Sequence, residues 1–180
     1  MMKRRAIGTL ALLATLPFTA SNIAIAGERF AATLSGAQEV REVVTDTTGR
    51  IKVKFNNAFS RAEFKLNVRN GNAITQAHLH CGLAGMDGSV VAFLFGPVSV
   101  GVDFDGRLSE GTLMNADIIE RDCVGAPINN IASLAQAMRA GRIYVNVHSV
   151  ANGPGEIRGQ LLRTNDRKHK DDREDDDDDD

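Results

Sequence analysis

The sequence predicts an all-β domain, an antiparallel sandwich or barrel with one short helix, and three observations carry that prediction. The first is alternation. Ile51, Val53 and Phe55 alternate with Lys52, Lys54 and Asn56, and Phe64, Leu66 and Val68 alternate with Lys65, Asn67 and Arg69. Successive side chains of a strand point to opposite faces, so this pattern marks strands with one face buried. The second is punctuation of the strand-like segments by turn residues at Asn70-Gly71-Asn72, Met86-Asp87-Gly88 and Asn152-Gly153-Pro154-Gly155, and strands with turns between them argue for a sandwich or barrel. The third is that helical spacing stands out in one place, Ile131, Leu134, Ala135 and Met138, at i, i+3, i+4 and i+7.

Taken in order, the chain opens with the layout of a secretory signal, residues 1–26. Lys3-Arg4-Arg5 is followed by an apolar stretch, residues 6–18, and by Ala24-Ile25-Ala26 as a small-x-small cleavage site, so the mature chain is expected to begin at Gly27. The apolar stretch is broken by Pro17 and falls short of the roughly 20 residues of a membrane span. No later run resembles it, and no membrane insertion is expected after cleavage. Residues 27–164 suit one domain with a single core. Strands are expected near residues 30–35, 51–55, 64–68, 74–80, 89–95, 106–113, 143–148 and 156–162, with the second and third paired antiparallel through the short link 58–61. Asn129 or Asn130 caps the helix and Gly141 stops it. A short turn is expected near residues 115–120.

Residues 165–180 are a different material. They lack apolar side chains, end in six consecutive aspartates, and hold ten acids against four bases. A segment of this composition cannot bury enough surface to offset its ordering entropy and is expected to be disordered. Solubility and weak capture of cations are the two roles it suggests. Without it, residues 27–164 hold 13 acids and 14 bases, so the domain is close to neutral and bears no nucleic-acid footprint. Trp is absent and Tyr144 is the only tyrosine, which argues against a carbohydrate platform built on aromatics.

Export also bears on the two cysteines, Cys81 and Cys123. In an oxidising compartment they are expected to form a disulfide, the alternative being a thiolate ligand.

The histidines carry the chemical signal. His78 and His80 stand at i and i+2 in Ala77-His78-Leu79-His80-Cys81 and therefore share one strand face, opposite Ala77 and Leu79. His148 ends Tyr144-Val145-Asn146-Val147-His148, on the face opposite Val145 and Val147. If the two strands are neighbours, the three imidazoles converge outside the core with an open coordination position between them. Imidazole sets suit copper or zinc rather than calcium or magnesium, which prefer oxygen. Copper is the expected cofactor and zinc the alternative. His169 falls in the acidic tail and is not expected to join the set. Glu156 and Arg158 lie near by strand parity: Glu156 could orient a ligand imidazole and Arg158 could guide an anion, or both could pair with each other or cap the glycine-rich turn. Met86 offers a soft sulfur for reduced copper or, more simply, loop packing.

The runs Ala77-His78-Leu79-His80-Cys81-Gly82-Leu83-Ala84-Gly85, Asp87-Gly88-Ser89-Val90-Val91, Gly141-Arg142-Ile143-Tyr144-Val145-Asn146-Val147-His148 and Gly155-Glu156-Ile157-Arg158-Gly159-Gln160-Leu161, with the opening Leu34-Ser35-Gly36-Ala37-Gln38-Glu39-Val40, resemble the CHRD (chordin) domain family over roughly residues 29–163. The resemblance implies an immunoglobulin-like Greek-key β fold in secreted or periplasmic proteins. The histidine pattern is more weakly similar to copper-zinc superoxide dismutases, in which a His-x-His strand and a later histidine hold copper outside a β-barrel. Here no histidine stands between His80 and His148, so that family's bridging imidazole and zinc loop have no counterparts.

The expected function is an exported copper-binding protein for storage, delivery or buffering, with a metal ion as its partner and binding preferred to catalysis. The alternatives are a dismutase-like or zinc-dependent enzyme, and an extracellular module that binds an exported protein partner.

Overall fold

A computed structural model of the chain describes residues 27–164. The expected signal, residues 1–26, and the acidic tail, residues 165–180 with His169, lie outside the described residues.

The alternation read from the sequence becomes a set of antiparallel strands: β1 (Arg29–Ser35), β2 (Thr48–Phe55), β3 (Arg61–Cys81), β4 (Val90–Phe95), β5 (Val102–Met114), the short pair β6 (Arg121–Asp122) and β7 (Pro127–Ile128), then helix α1 (Ile131–Arg139), β8 (Ile143–Ser149), β9 (Ile157–Gln160) and β10 (Leu162–Arg163). The first half of β3 lies between β2 and β5, and its second half between β8 and β4. Two four-stranded layers, β1-β2-β3-β5 and β9-β8-β3-β4, therefore share β3. At the other seam Ser35 of β1 meets Arg158 of β9. Ile51, Leu66, Leu79, Val145 and Val147 are fully buried in one core that both layers line. The fold is all-β with one short helix, as expected.

One expectation is corrected. Residues 64–68 and 74–80 are not two strands separated by a chain reversal but parts of one strand, bent where Asn70 (φ 52°) and Ala73 (φ 45°) adopt left-handed backbone. Asparagine tolerates that region, and the register against β5 shifts on both sides of Gly71. A Cβ at Gly71 would stand 2.8 Å from Val68 Cγ1 and 3.0 Å from Ile74 Cγ1, so the inside of the bend needs glycine. Turn residues here bend a strand whose two halves have different neighbours.

Helix α1 follows its sequence signals. Asn130 Oδ1 accepts from Ser133 N at 2.8 Å, Ser133 Oγ accepts from Asn130 N at 3.1 Å, and Gly141 (φ 66°) ends the run. Its apolar stripe is buried, and Arg142 N donates to Ala137 O at 2.9 Å as the chain turns into β8. Cys81, the last residue of β3, is disulfide-bonded to Cys123, which removes thiolate from the candidate ligands. The expected strand 156–162 is divided into β9 and β10, and the turn near residue 115 is a short 3-10 turn, Asn115–Asp117.

Candidate metal centre

The second half of β3 and β8 are antiparallel neighbours in which His78 faces Asn146, His80 faces Tyr144 and Gln76 faces His148. His148 is thus one step diagonal from His78, within reach across a strand pair. Ring centroids are 5.4 Å apart for His78 and His80, 5.0 Å for His78 and His148, and 5.9 Å for His80 and His148. One nitrogen of each ring lies within 4.8 Å of the others. The open position expected from strand parity is corrected in one respect: the three rings are 4 %, 8 % and 5 % exposed. All seven residues of β8 are buried, because loops roof the polar face that alternation left turned away from the core.

Those loops set the tautomers. His80 Nδ1 lies 2.9 Å from Gly88 O, and His148 Nδ1 lies 2.9 Å from Gly153 O. A carbonyl only accepts, so both Nδ1 atoms carry the proton and both Nε2 atoms present lone pairs. His78 Nδ1 is 3.1 Å from His148 Nε2 and, facing a bare lone pair, donates to it in the metal-free protein. His78 Nε2 and His80 Nε2 are buried without a hydrogen-bond partner. Burial, and then His148 and His80 nearby, push the pKa of His78 down to about 4. Burial likewise lowers His80 and His148 against the opposing pull of their carbonyl partners. All three rings are therefore neutral at pH 7, the protonation state that binds a metal.

The distances suit a metal. Two nitrogens about 2.0–2.1 Å from one ion stand roughly 3–3.4 Å apart at angles between square and tetrahedral. The 3.1 Å between His78 Nδ1 and His148 Nε2 falls in that interval; with the His78 proton moved to Nε2 both would offer lone pairs, and the partnerless Nε2 of His80 would be the third donor, one nitrogen of each ring lying within 4.8 Å of the others.

The family model for the CHRD domain matches residues 30–161, a span that holds both layers, the three histidines and both cysteines. The chain belongs to the CHRD domain family. No curated protein and no solved structure matches it. CHRD domains occur in extracellular and secreted proteins, and the Cys81–Cys123 bridge is consistent with export.

Around its histidines this CHRD domain builds a layered support. Tyr144 stacks on His80, centroids 5.0 Å apart and 13° between planes, and the Arg158 guanidinium lies 3.5 Å over the Tyr144 ring. Arg158 Nη2 donates to Leu83 O at 2.9 Å and Met86 O at 2.8 Å, so it clamps the 82–88 loop that delivers the Gly88 carbonyl to His80. Gly88 N donates to the Tyr144 hydroxyl at 3.1 Å, and a Cβ at Gly88 would collide with Cys81 O at 1.4 Å. Phe93 meets His78 edge to face, centroids 4.6 Å apart.

Glu156 acts on the other loop. It accepts from Ser149 Oγ at 2.7 Å, from Thr45 Oγ1 at 2.5 Å and from the Asn152 amide. Burial alone would raise its pKa, but the hydrogen bonds from Thr45, Asn152 and Ser149 outweigh it and hold the carboxyl below its ordinary value. Among the described hydrogen bonds none joins Glu156 to an imidazole: it caps the turn that carries Gly153. Arg158 bonds the loop carbonyls through Nη2 alone, its Nη1 is buried without a hydrogen-bond partner 3.7 Å from Asp87, and Tyr144 lies between it and His80. The Met86 side chain is 54 % exposed. Sequence reasoning placed Gly88 and Gly153 in turns and Glu39 in the opening run, but gave none of the three a part in the site. Burial raises the Glu39 pKa to about 7 against the pull of Arg158 and an Asn146 hydrogen bond. Loop-to-strand contacts of this kind leave no periodic signal.

Proposed function

We propose that this protein is an exported copper-binding protein that holds the ion on His78, His80 and His148 for storage, delivery or buffering. The observation that carries the reading is the pair of Nδ1–H groups tied to the Gly88 and Gly153 carbonyls, which leaves imidazole lone pairs gathered in a buried place. Buried polar atoms without partners are rare and costly, and a metal ion is the partner this donor set lacks. Carbonyl acceptors behind ligand histidines are the usual means of fixing tautomer and ring orientation. Copper is favoured over zinc because it binds a given nitrogen set more tightly among divalent first-row metals. Binding is favoured over catalysis because, among the described hydrogen bonds, neither Arg158 nor Glu156, the two charged groups closest by strand parity, reaches a ring nitrogen, while Arg158 Nη2 and Glu156 hold the flanking loops.

The test is metal content and electron paramagnetic resonance on untagged mature protein beside the H78A/H80A/H148A variant, with circular dichroism to establish that both are folded. Near-stoichiometric Cu(II) with nitrogen hyperfine structure in the wild type, absent from the folded variant, is the expected result. Uptake of neither copper nor zinc by the wild type would refute the reading.

A further inference from the structure

The outer face of the β1-β2-β3-β5 layer lies across the core from the histidines and carries an uneven charge. Cross-strand pairing sets Arg29 beside Lys54 and Lys54 beside Glu63 in one row, and Lys52 beside Lys65 and Lys65 beside Glu110 in the next. Arg50 and Arg107 flank Asn67 in the third row, Arg69 follows opposite Thr48, and Arg61 opens β3. All ten of these charged residues are exposed. Eight are basic and two acidic; the exposed Asp103 and Asp105 at the start of β5 bring the layer to eight bases and four acids, four positive charges net. Since residues 27–164 hold 14 bases and 13 acids, the rest of the domain carries three negative charges net.

The face is neutralised only in part from within. Glu63 pairs with Arg61, and Glu110 with Lys65 and Arg107. Among the described residues no carboxylate comes within ion-pair distance of Arg50, Lys52, Lys54 or Arg69. Lys52 directly opposes Lys65, a like-charge pair that destabilises strand pairing and that Glu110 offsets only on the Lys65 side.

The described chain ends at the edge of this face. Thr164 N donates to Arg29 O at 2.9 Å, and Thr164 lines the same shallow groove as Arg29, Lys52 and Lys65. Residues 165–180 follow, with ten acids and four bases, six negative charges net. Their extended reach is about 50 Å, against roughly 15 Å across the four strands.

We propose that the acidic segment, residues 165–180, docks on the basic outer face of its own β1-β2-β3-β5 layer, as a strap held by charge rather than by a fixed register. The remaining surface is negative and repels it. Tethering gives the segment an effective concentration on the order of millimolar at the face, so a free polyanion of similar charge density reaches the sheet only by displacing it.

The test compares amide NMR spectra of residues 27–180 with those of a variant carrying Asn at all six positions 175–180. At low salt the amides of β1, β2 and the first half of β3 should differ between the two while those of β8 and β9 coincide, and the differences should fade by about 0.5 M salt, where screening shortens to a few ångströms. A heparin oligosaccharide should bind the Asn variant at least tenfold more tightly than the wild type, and K52E/K54E should weaken that binding. Shifts that are absent or equally spread over both layers, or equal heparin affinity in the two proteins, would overturn the proposal, the latter by assigning the face to an external anionic polymer.

Discussion

Replacing Arg158 with methionine tests how the roof over the histidines is held. Arg158 is 2 % exposed, and its nearest carboxylate, Asp87 at 3.7 Å, is largely in solvent. R158M removes two charge-assisted hydrogen bonds, to Leu83 O and Met86 O, worth about 1.5–3 kcal/mol each. It also removes a cation over the Tyr144 ring, worth about 2 kcal/mol when desolvated. Against these stands the several-kcal/mol cost of burying a guanidinium, which methionine avoids. The Leu83 and Met86 carbonyls lose their donor, so the balance is an expected loss of about 2–3 kcal/mol in the metal-free protein. Urea denaturation at pH 7.5 measures it as a lowered midpoint with unchanged slope. Hydrogen exchange should localise the change to residues 82–88, and copper affinity should fall about tenfold as the Gly88 carbonyl loosens behind His80. If R158M is as stable as the wild type, with loop exchange unaltered, Arg158 does not hold the roof and the argument fails.

Other outcomes follow from the same geometry. C81A/C123A, which opens a loop of sequence separation 42, should cost about 4 kcal/mol on the chain-entropy account, measurable by thermal melting with and without reductant. G88A should destabilise by about 1–3 kcal/mol as an overpacked site, because its Cβ meets backbone, and should perturb the His80 ring resonances in NMR. His78 is held at about 4 against an ordinary 6.5, so the unfolded chain binds more protons between those values. Metal-free stability should therefore be full above about pH 6.5 and fall as pH drops toward 4, a limb that H78Q should flatten in urea titrations. Glu39, raised from 4.5 to about 7, has the opposite sign: its contribution is present below 4.5 and lost as pH rises through 7, so E39Q should stabilise more at pH 8 than at pH 4.5.

What the sequence made legible is what strands write into it. Alternation placed Ile51 and Leu66 in the core and put His78 and His80 on one face, and the helix was readable from Asn130 to Gly141 because capping and spacing are local. The bend in β3 was not, since Asn70-Gly71-Asn72 spells a turn whether the chain reverses or only kinks. The outcome depends on which strands flank the two halves. Nor was the burial of the histidines legible. Parity says that His148 faces away from Val147, but only the chain's distant segments, around Glu39, Gly88 and Gly153, decide whether that face meets water or a roof.

Strand β3 is one continuous piece threaded between four neighbours, and it carries core residues and histidines on alternate positions. A one-residue slip against β8 would turn His78 and His80 inward and expel Ala77 and Leu79. Closing the core and presenting the imidazoles are thus the same registration event. A chain that has mis-threaded β3 fails at both together, so the assembled histidine cluster serves as an inspection mark: it exists only on copies whose two layers have been joined correctly.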